Sequence, residues 1–251
     1  MGSESGRSQV GVSSESTPSL QDIGSRLTAV RDRIARAAER VRRDPASIRL
    51  VAVSKTFGAD HIRAAAAAGQ VDFGENKVQE ALQKIEQTSD LEIRWHLVGH
   101  LQSNKARRAA ASFDVIHSID GAPLVTRIDQ AASEAGRRID LLVQVDLAGE
   151  ATKHGAREAE LQTIFDAARA CRATRIAGLM LLPPAVDTAE QARPYFRALR
   201  DVRDRLLTEG VDGTMLTELS MGMSHDFEVA VEEGATLVRV GTAIFGERQY
   251  V

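Results

Sequence analysis

A chain of 251 residues, 43 % hydrophobic and 27 % charged, is long enough for one large α/β domain with a substantial core. Its net charge of −3 offers no electrostatic footprint for nucleic acid or an anionic membrane. Its single cysteine, Cys171, excludes an internal disulfide and a multi-cysteine metal site, and the expected setting is reducing and cytoplasmic.

The first 18 residues are dominated by Ser, Gly and Glu and carry no apolar stretch of the kind a secretory signal needs. Gly6 stands where a myristoylation signal has Ser or Thr. This segment reads as a disordered tail, and residues 19–251 read as one domain. No later run approaches the roughly 20 apolar residues of a membrane span. From Leu20 the pattern changes. Leu20, Ile23, Leu27, Val30, Ile34 and Val41 recur at helical spacing, with Ser19 as N-cap, and predict a helix over 20–42.

Short β-branched runs then alternate with amphipathic segments rich in Ala, Arg and Glu. The runs at 49–54, 71–74, 94–99, 115–119, 140–147, 175–181, 216–220 and 236–241 predict eight strands. Helices are expected at 59–68, 77–87, 103–112, 122–135, 156–171, 187–209 and 224–233. Continuous apolar strands separated by helices argue for a parallel sheet covered by helices. Eight such units in this length predict a single-domain (β/α)8 TIM barrel, with an open doubly wound sheet as the rival. The last strand is followed by too few residues for a full helix, so the N-terminal helix is expected to fill that slot.

In such a barrel, chemistry sits at the C-terminal ends of the strands. There the sequence places Lys55, "GEN" at 74–76, "GHLQSNK" at 99–105, "HSID" at 117–120, "SMGMS" at 220–224 and "GTAIFG" at 241–246. Lys55 ends the apolar run Leu50, Val51, Ala52, Val53. One reading is a rim lysine whose stem packs while its ammonium reaches water. The other is a partly desolvated amine able to form a Schiff base with a carbonyl. The loops after the seventh and eighth strands are the usual phosphate site of this fold, and glycines with Ser220, Ser224 and Thr242 suit one. Arg239, inside the last strand, needs a partner: Glu218, or a ligand in the barrel mouth.

The motifs "LVAVSKT", "FGEN" followed by "VQEA", "WHLVGHLQSNK", "HSID", "GLMLL" and "LSMGMSHDFEVAVEEGATLVRVGTAIFGER" closely resemble the pyridoxal phosphate homeostasis protein family. The resemblance covers residues 20–249. It implies the barrel of the alanine racemase N-terminal domain. It also implies pyridoxal 5′-phosphate as cofactor, held as a Schiff base on Lys55 with Asn76 near the phenolic oxygen. Ser220, Gly222, Gly241 and Thr242 are then expected at the phosphate, Arg239 at the pyridine nitrogen, and His96 and Met223 near the ring. Lys153 matches a further family lysine. Phe57 and Lys77 depart from the family, where a lysine and a tyrosine are usual, so no secondary site using those side chains is carried over.

The function so implied is intracellular homeostasis of the cofactor by a monomer, with transient contact to apo-enzymes and without substantial turnover. A cation beside the pyridine nitrogen disfavours its protonation and weakens the ring as an electron sink. Racemisation also needs a second acid/base, which racemases take from another domain and a partner chain. The alternatives are a racemase-like enzyme and a Schiff-base aldolase acting on a phosphorylated sugar. His96 and His100 straddle a strand and its turn with no glutamate at zinc-site spacing, so no metal is expected there. His154 and His225 read as surface residues.

Overall fold

The computed structural model describes residues 20–149 and 154–247, so the N-terminal tail and Lys153 lie outside the described residues. Eight parallel strands close in sequence order: β1 (Arg49–Val53), β2 (Asp72–Glu75), β3 (Arg94–Leu97), β4 (Val115–Ile119), β5 (Ile139–Gln144), β6 (Thr174–Met180), β7 (Glu218–Ser220) and β8 (Leu237–Val240). The return of β8 onto β1, with Leu50 opposite Val238 and Ala52 opposite Val240, makes a barrel rather than an open sheet.

Around it run α2 (Ala59–Ala67), α3 (Val78–Gln87), α4 (Ala106–Ser112), α5 (Ala122–Glu134), α6 (Leu161–Ala168), α7 (Ala189–Thr208), α8 (Phe227–Glu232) and the single turn α9 (Thr242–Phe245). The N-terminal helix α1 (Asp22–Arg40) fills the place that the short α9 leaves. Its buried stripe of Ile23, Leu27, Val30 and Ile34 has the spacing that puts one face on the barrel. Each such side chain contributes about 1.5–3 kcal/mol on burial. Polar contacts fix its position on both sides. Arg31 donates to the carbonyls of Ala68 and Gly69 just beyond α2, while Arg43 donates to those of Val231 and Ala235 around the end of α8. No helix among the described residues is long and apolar enough to cross a membrane.

Alternation along the strands sorts side chains between two cores. Leu50 and Ala52 face the helices and join the large outer core, whereas Val51 faces the barrel axis with Val115, Leu142, Ala177, Met180 and Leu237. At the N-terminal end the axis is closed by ion pairs, Arg49 with Glu218 at 2.6 Å and Arg94 with Asp140 at 3.1 Å. The other end is open. Most expected elements shift at their ends by up to three residues, and the largest departure lies around the fifth strand and sixth helix. The fifth strand ends at Gln144 rather than 147, and α6 begins at Leu161 rather than 156. Beyond β5, Val145 and Ala156 pair in an isolated parallel bridge, with Ala156 N–H donating to Gln144 O at 2.7 Å and Asp146 N–H to Ala156 O at 2.9 Å, so Ala156 is extended rather than helical.

Candidate functional site

Lys55 occupies a tight turn after β1, closed by a hydrogen bond from Phe57 N–H to Ser54 O at 3.0 Å. Thr56 takes φ +72°, a left-handed conformation that a β-branched residue adopts only at a cost. Its N–H is held by Glu80 Oε1 at 2.6 Å. Beneath the turn, Lys84 Nζ donates to Ser54 O at 2.9 Å, Glu75 Oε1 at 2.7 Å and Glu80 Oε1 at 3.0 Å, and Ser54 Oγ–H donates to Glu75 at 2.6 Å. Lys84 and Glu75 are both buried, so this network over-determines the turn and aims Lys55. Burial raises the Glu75 carboxyl pKa even though Lys84 beside it works the other way.

Lys55 lines a cavity of about 550 Å³ at the C-terminal end of the barrel, a volume typical of small-ligand sites. Six of the nine residues expected at a cofactor line it: Lys55, Asn76, Met223, Arg239, Gly241 and Thr242. Asn76 reaches the wall because Gly99 has no side chain. A Cβ at Gly99 would sit 2.2 Å from Asn76 O. Phe57 also lines the cavity and packs against Phe245 with ring centroids 5.4 Å apart, while Lys77 is exposed at the start of α3.

His96, Ser220 and Gly222 are buried and do not line the cavity. His96 and Ser220 lie deeper in the barrel and, with Arg239, form a continuous chain. Arg239 Nη1 donates to Ser220 Oγ at 2.6 Å; Ser220 Oγ meets His117 Nδ1 at 2.9 Å; His117 Nε2 meets His96 Nδ1 at 2.9 Å; His96 Nε2 meets Asp72 Oδ1 at 2.8 Å. Arginine has no acceptor and a carboxylate no donor, so with neutral histidines the two ends fix the direction of every bond between them. Ser220 O–H donates to His117, His117 Nε2–H to His96, and His96 Nε2–H to Asp72. The sequence marked His117 only as part of the strand-end motif and missed Asp72, because their convergence depends on how three strands face one axis. Glu218 is paired with Arg49, so the ion pair considered for Arg239 does not form.

Electrostatics agree with that direction. Burial lowers both histidines, His117 to well below its ordinary value, with the charges of His96 and Arg239 adding to the effect there. Burial would raise Asp72, but the His96 bond and the nearby arginines outweigh it and hold the carboxyl below its usual range. Arg239 is 3 % exposed and burial lowers its pKa to about 10, so it stays a cation at neutral pH. Its other terminal nitrogen donates to Leu181 O at 2.9 Å.

The remaining wall carries hydroxyl groups beside backbone amides. Ser224 Oγ accepts from the N–H groups of Gly241 and Ala243 at 3.2 and 3.4 Å, and it lines the cavity beside Thr242. Gly222 shapes this wall from behind. It takes φ +92°, and a Cβ there would meet Ala230 Cβ at 2.5 Å. Its carbonyl accepts from Arg239 N–H at 2.9 Å, which sets β8 against the loop. An amine, a buried guanidinium, and hydroxyls beside backbone amides thus meet around one space. This donor set fits a small phosphorylated carbonyl compound.

Comparison with known proteins follows the same line. Residues 25–249 match the family described as "Alanine racemase, N-terminal domain". The pyridoxal phosphate homeostasis protein of Aquifex aeolicus is 42 % identical over 225 residues, covering 90 % of this chain and 98 % of that one. The one from Pseudomonas aeruginosa is 40 % identical over 231 residues, covering 92 % and 98 %. The chain belongs to the pyridoxal phosphate homeostasis protein family. The solved structure of PipY from Synechococcus elongatus with PLP bound has a TM-score of 0.80 and 42 % identity, covering 89 % of this chain and all of that one. Family membership and the barrel agree, and the racemase-type barrel expected from the motifs is the one observed.

Proposed function

We propose that the chain binds pyridoxal 5′-phosphate in the cavity at the open end of the barrel, holds it through a Schiff base on Lys55, and serves its homeostasis rather than a turnover reaction. When bound, that cofactor supplies an aldehyde, a ring nitrogen and a phosphate. Lys55 provides the amine for the first. Ser224 and Thr242 offer hydroxyl donors to the last, with the Ser224 hydroxyl held in place by the Gly241 and Ala243 amides. The PipY structure with PLP bound, at 42 % identity, supports this cofactor.

The observation that carries the non-catalytic part is Arg239. A buried cation bound through Ser220 and the histidines to Asp72 only donates hydrogen bonds, so a ring nitrogen facing it remains unprotonated. An unprotonated ring is a weak electron sink, and carbanion chemistry gains little from it. A protein that binds the cofactor without consuming it can hold it and release it to apo-enzymes through the open mouth.

Borohydride reduction of the cofactor-loaded protein followed by peptide mass mapping tests the linkage. The expected result is a reduced adduct on Lys55 and its loss in Lys55→Ala with an unchanged far-UV spectrum. An adduct on another lysine overturns the assignment. Deuterium exchange at the α-carbon over a panel of amino acids tests the rest, because turnover near the ordinary enzyme median of about 10 s⁻¹ would overturn the carrier reading.

A further inference from the structure

Three successive strands each deliver one metal-ligating side chain to the open end of the barrel. His100 stands in the loop after β3, Asp120 directly follows β4, and His154 lies where the chain returns after β5. One ligand atom from each lies within 4.8 Å of those of the other two. The two imidazole rings are stacked, with centroids 3.5 Å apart and planes 11° from parallel. His100 Nδ1 is 3.7 Å from Asp120 Oδ2, which is too long for a hydrogen bond. It is close to the roughly 3.4 Å that separates two ligands bound at about 2.1 Å on a tetrahedral ion.

We propose that His100, Asp120 and His154 form a binding site for a divalent first-row transition-metal ion of the zinc type, on the rim of the cavity. Two imidazoles and one carboxylate favour such an ion over Mg2+ or Ca2+, which take sets of oxygen ligands. Three protein ligands leave positions open to water. The side chains are exposed or half-exposed, so the small rotations that tilt the stacked rings toward a common point meet little resistance. The backbone behind them is firm. Gln144 Nε2 donates to His154 O, Ala156 N–H donates to Gln144 O at the end of β5, and Asp146 N–H donates to Ala156 O.

The spacing in the sequence hid this group. His100 and His96 are four apart but point to different places, whereas His154 is distant in sequence and joins through the loop after β5. Because His100 also lines the cavity, a bound ion would tie three rim loops together beside the ligand. The site stands independently of the cofactor reading, since none of its ligands is a residue to which a cofactor contact has been given.

The six histidines of the chain are 61, 96, 100, 117, 154 and 225, of which 96 and 117 are buried in the barrel. The test is titration of the cofactor-free full chain with Zn2+ against a chromophoric chelator, and with Co2+ read by its visible absorption. Wild type should bind one equivalent, undisplaced by excess Mg2+ or Ca2+. His154→Ala and Asp120→Asn should each bind at least about ten-fold more weakly, since even removing an outer-shell partner costs about 10–100-fold. His225→Ala should bind as wild type does. Far-UV spectra control for folding. Absence of saturable Zn2+ binding by wild type, or undiminished affinity in either ligand variant, overturns the site.

Discussion

Ser220 Oγ accepts a hydrogen bond from Arg239 Nη1 at 2.6 Å, and through this one hydroxyl the cation at the cavity is joined to a pair of buried histidines. The pairing ties the site to the barrel interior. A guanidinium only 3 % exposed is tolerable only when its donors are met, and Ser220 and Leu181 O meet two of them.

Ser220→Ala removes both bonds of this hydroxyl and leaves His117 Nδ1 and one Arg239 nitrogen without it. The expected loss of stability is about 1–3 kcal/mol, read from urea denaturation midpoints. The preference for pyridoxal 5′-phosphate over pyridoxal should stay as in wild type, because Ser220 does not line the cavity. A changed preference with unchanged stability would put Ser220 at the phosphate after all.

The neutral histidine pair predicts acid sensitivity. In the folded chain burial holds His96 and His117 below their ordinary value, while an unfolded histidine titrates near about 6.5. As pH falls below that point the unfolded state binds protons that the folded state does not. The associated stability is therefore complete above about pH 6.5 and is lost as pH drops toward the folded values. Each histidine can contribute a slope of up to about 1.4 kcal/mol per pH unit. Glu75 and Asp226, raised by burial, act in the opposite sense, but burial also lowers His61 and His100, so four histidines stand against two carboxyls. Urea midpoints should fall between pH 6.5 and 5.5; a flat or rising trend would refute the neutral pair.

Lys84→Met leaves the buried Glu75 carboxylate without its cation and takes one donor from Ser54 O. Breaking a buried pair from one side costs about 3–5 kcal/mol, and that loss should appear in chemical denaturation. Cofactor retention should also fall, because Ser54 and Thr56 flank Lys55 and both are held by this network. Lys84→Met combined with Glu75→Gln should recover part of the stability, since the second change removes the stranded charge. If the double variant is no better than the single one, the buried charge is not the source of the loss.

The barrel was legible because its strands are buried on both faces and read as unbroken apolar runs, with Leu50–Val53 a clear example. The site was legible in part. Lys55, Asn76, Gly241 and Thr242 stand just beyond strand ends, where chain position alone predicts convergence, and Arg239 was marked as a buried charge in need of a partner. Depth along the barrel axis was not legible. His96 and Ser220 sit in motifs that mark the site, but their side chains lie below the cavity, and only strand register and inward alternation decide that. The support under Lys55 was hidden for a related reason. Glu75 and Lys84 are nine residues apart on a strand and a helix, and nothing in their spacing says that α3 folds its lysine back beneath the turn.

The hydroxyl-bearing wall gives the sharpest separation between contacts with the phosphate and contacts with the ring. Thr242 is exposed at the start of α9, and its hydroxyl is not committed to the interior chain that holds Ser220. Thr242→Val keeps the shape and removes the hydroxyl, so the fold should persist with an unchanged urea midpoint. A hydrogen bond to a charged group contributes about 1.5–3 kcal/mol, so pyridoxal 5′-phosphate should be released at least roughly ten-fold faster. Release of pyridoxal, which has no phosphate to lose, should be unaffected. Ser224→Ala differs in kind, because Ser224 Oγ also accepts from the Gly241 and Ala243 amides, and its removal loosens the wall as well as deleting a donor. The two variants should therefore agree for the phosphorylated ligand, with Ser224→Ala alone also lowering stability. Both measurements need only absorbance-monitored release into a scavenger and a denaturation curve. Equal acceleration for pyridoxal and its phosphate in Thr242→Val would show that this wall contacts the ring and that the phosphate lies elsewhere.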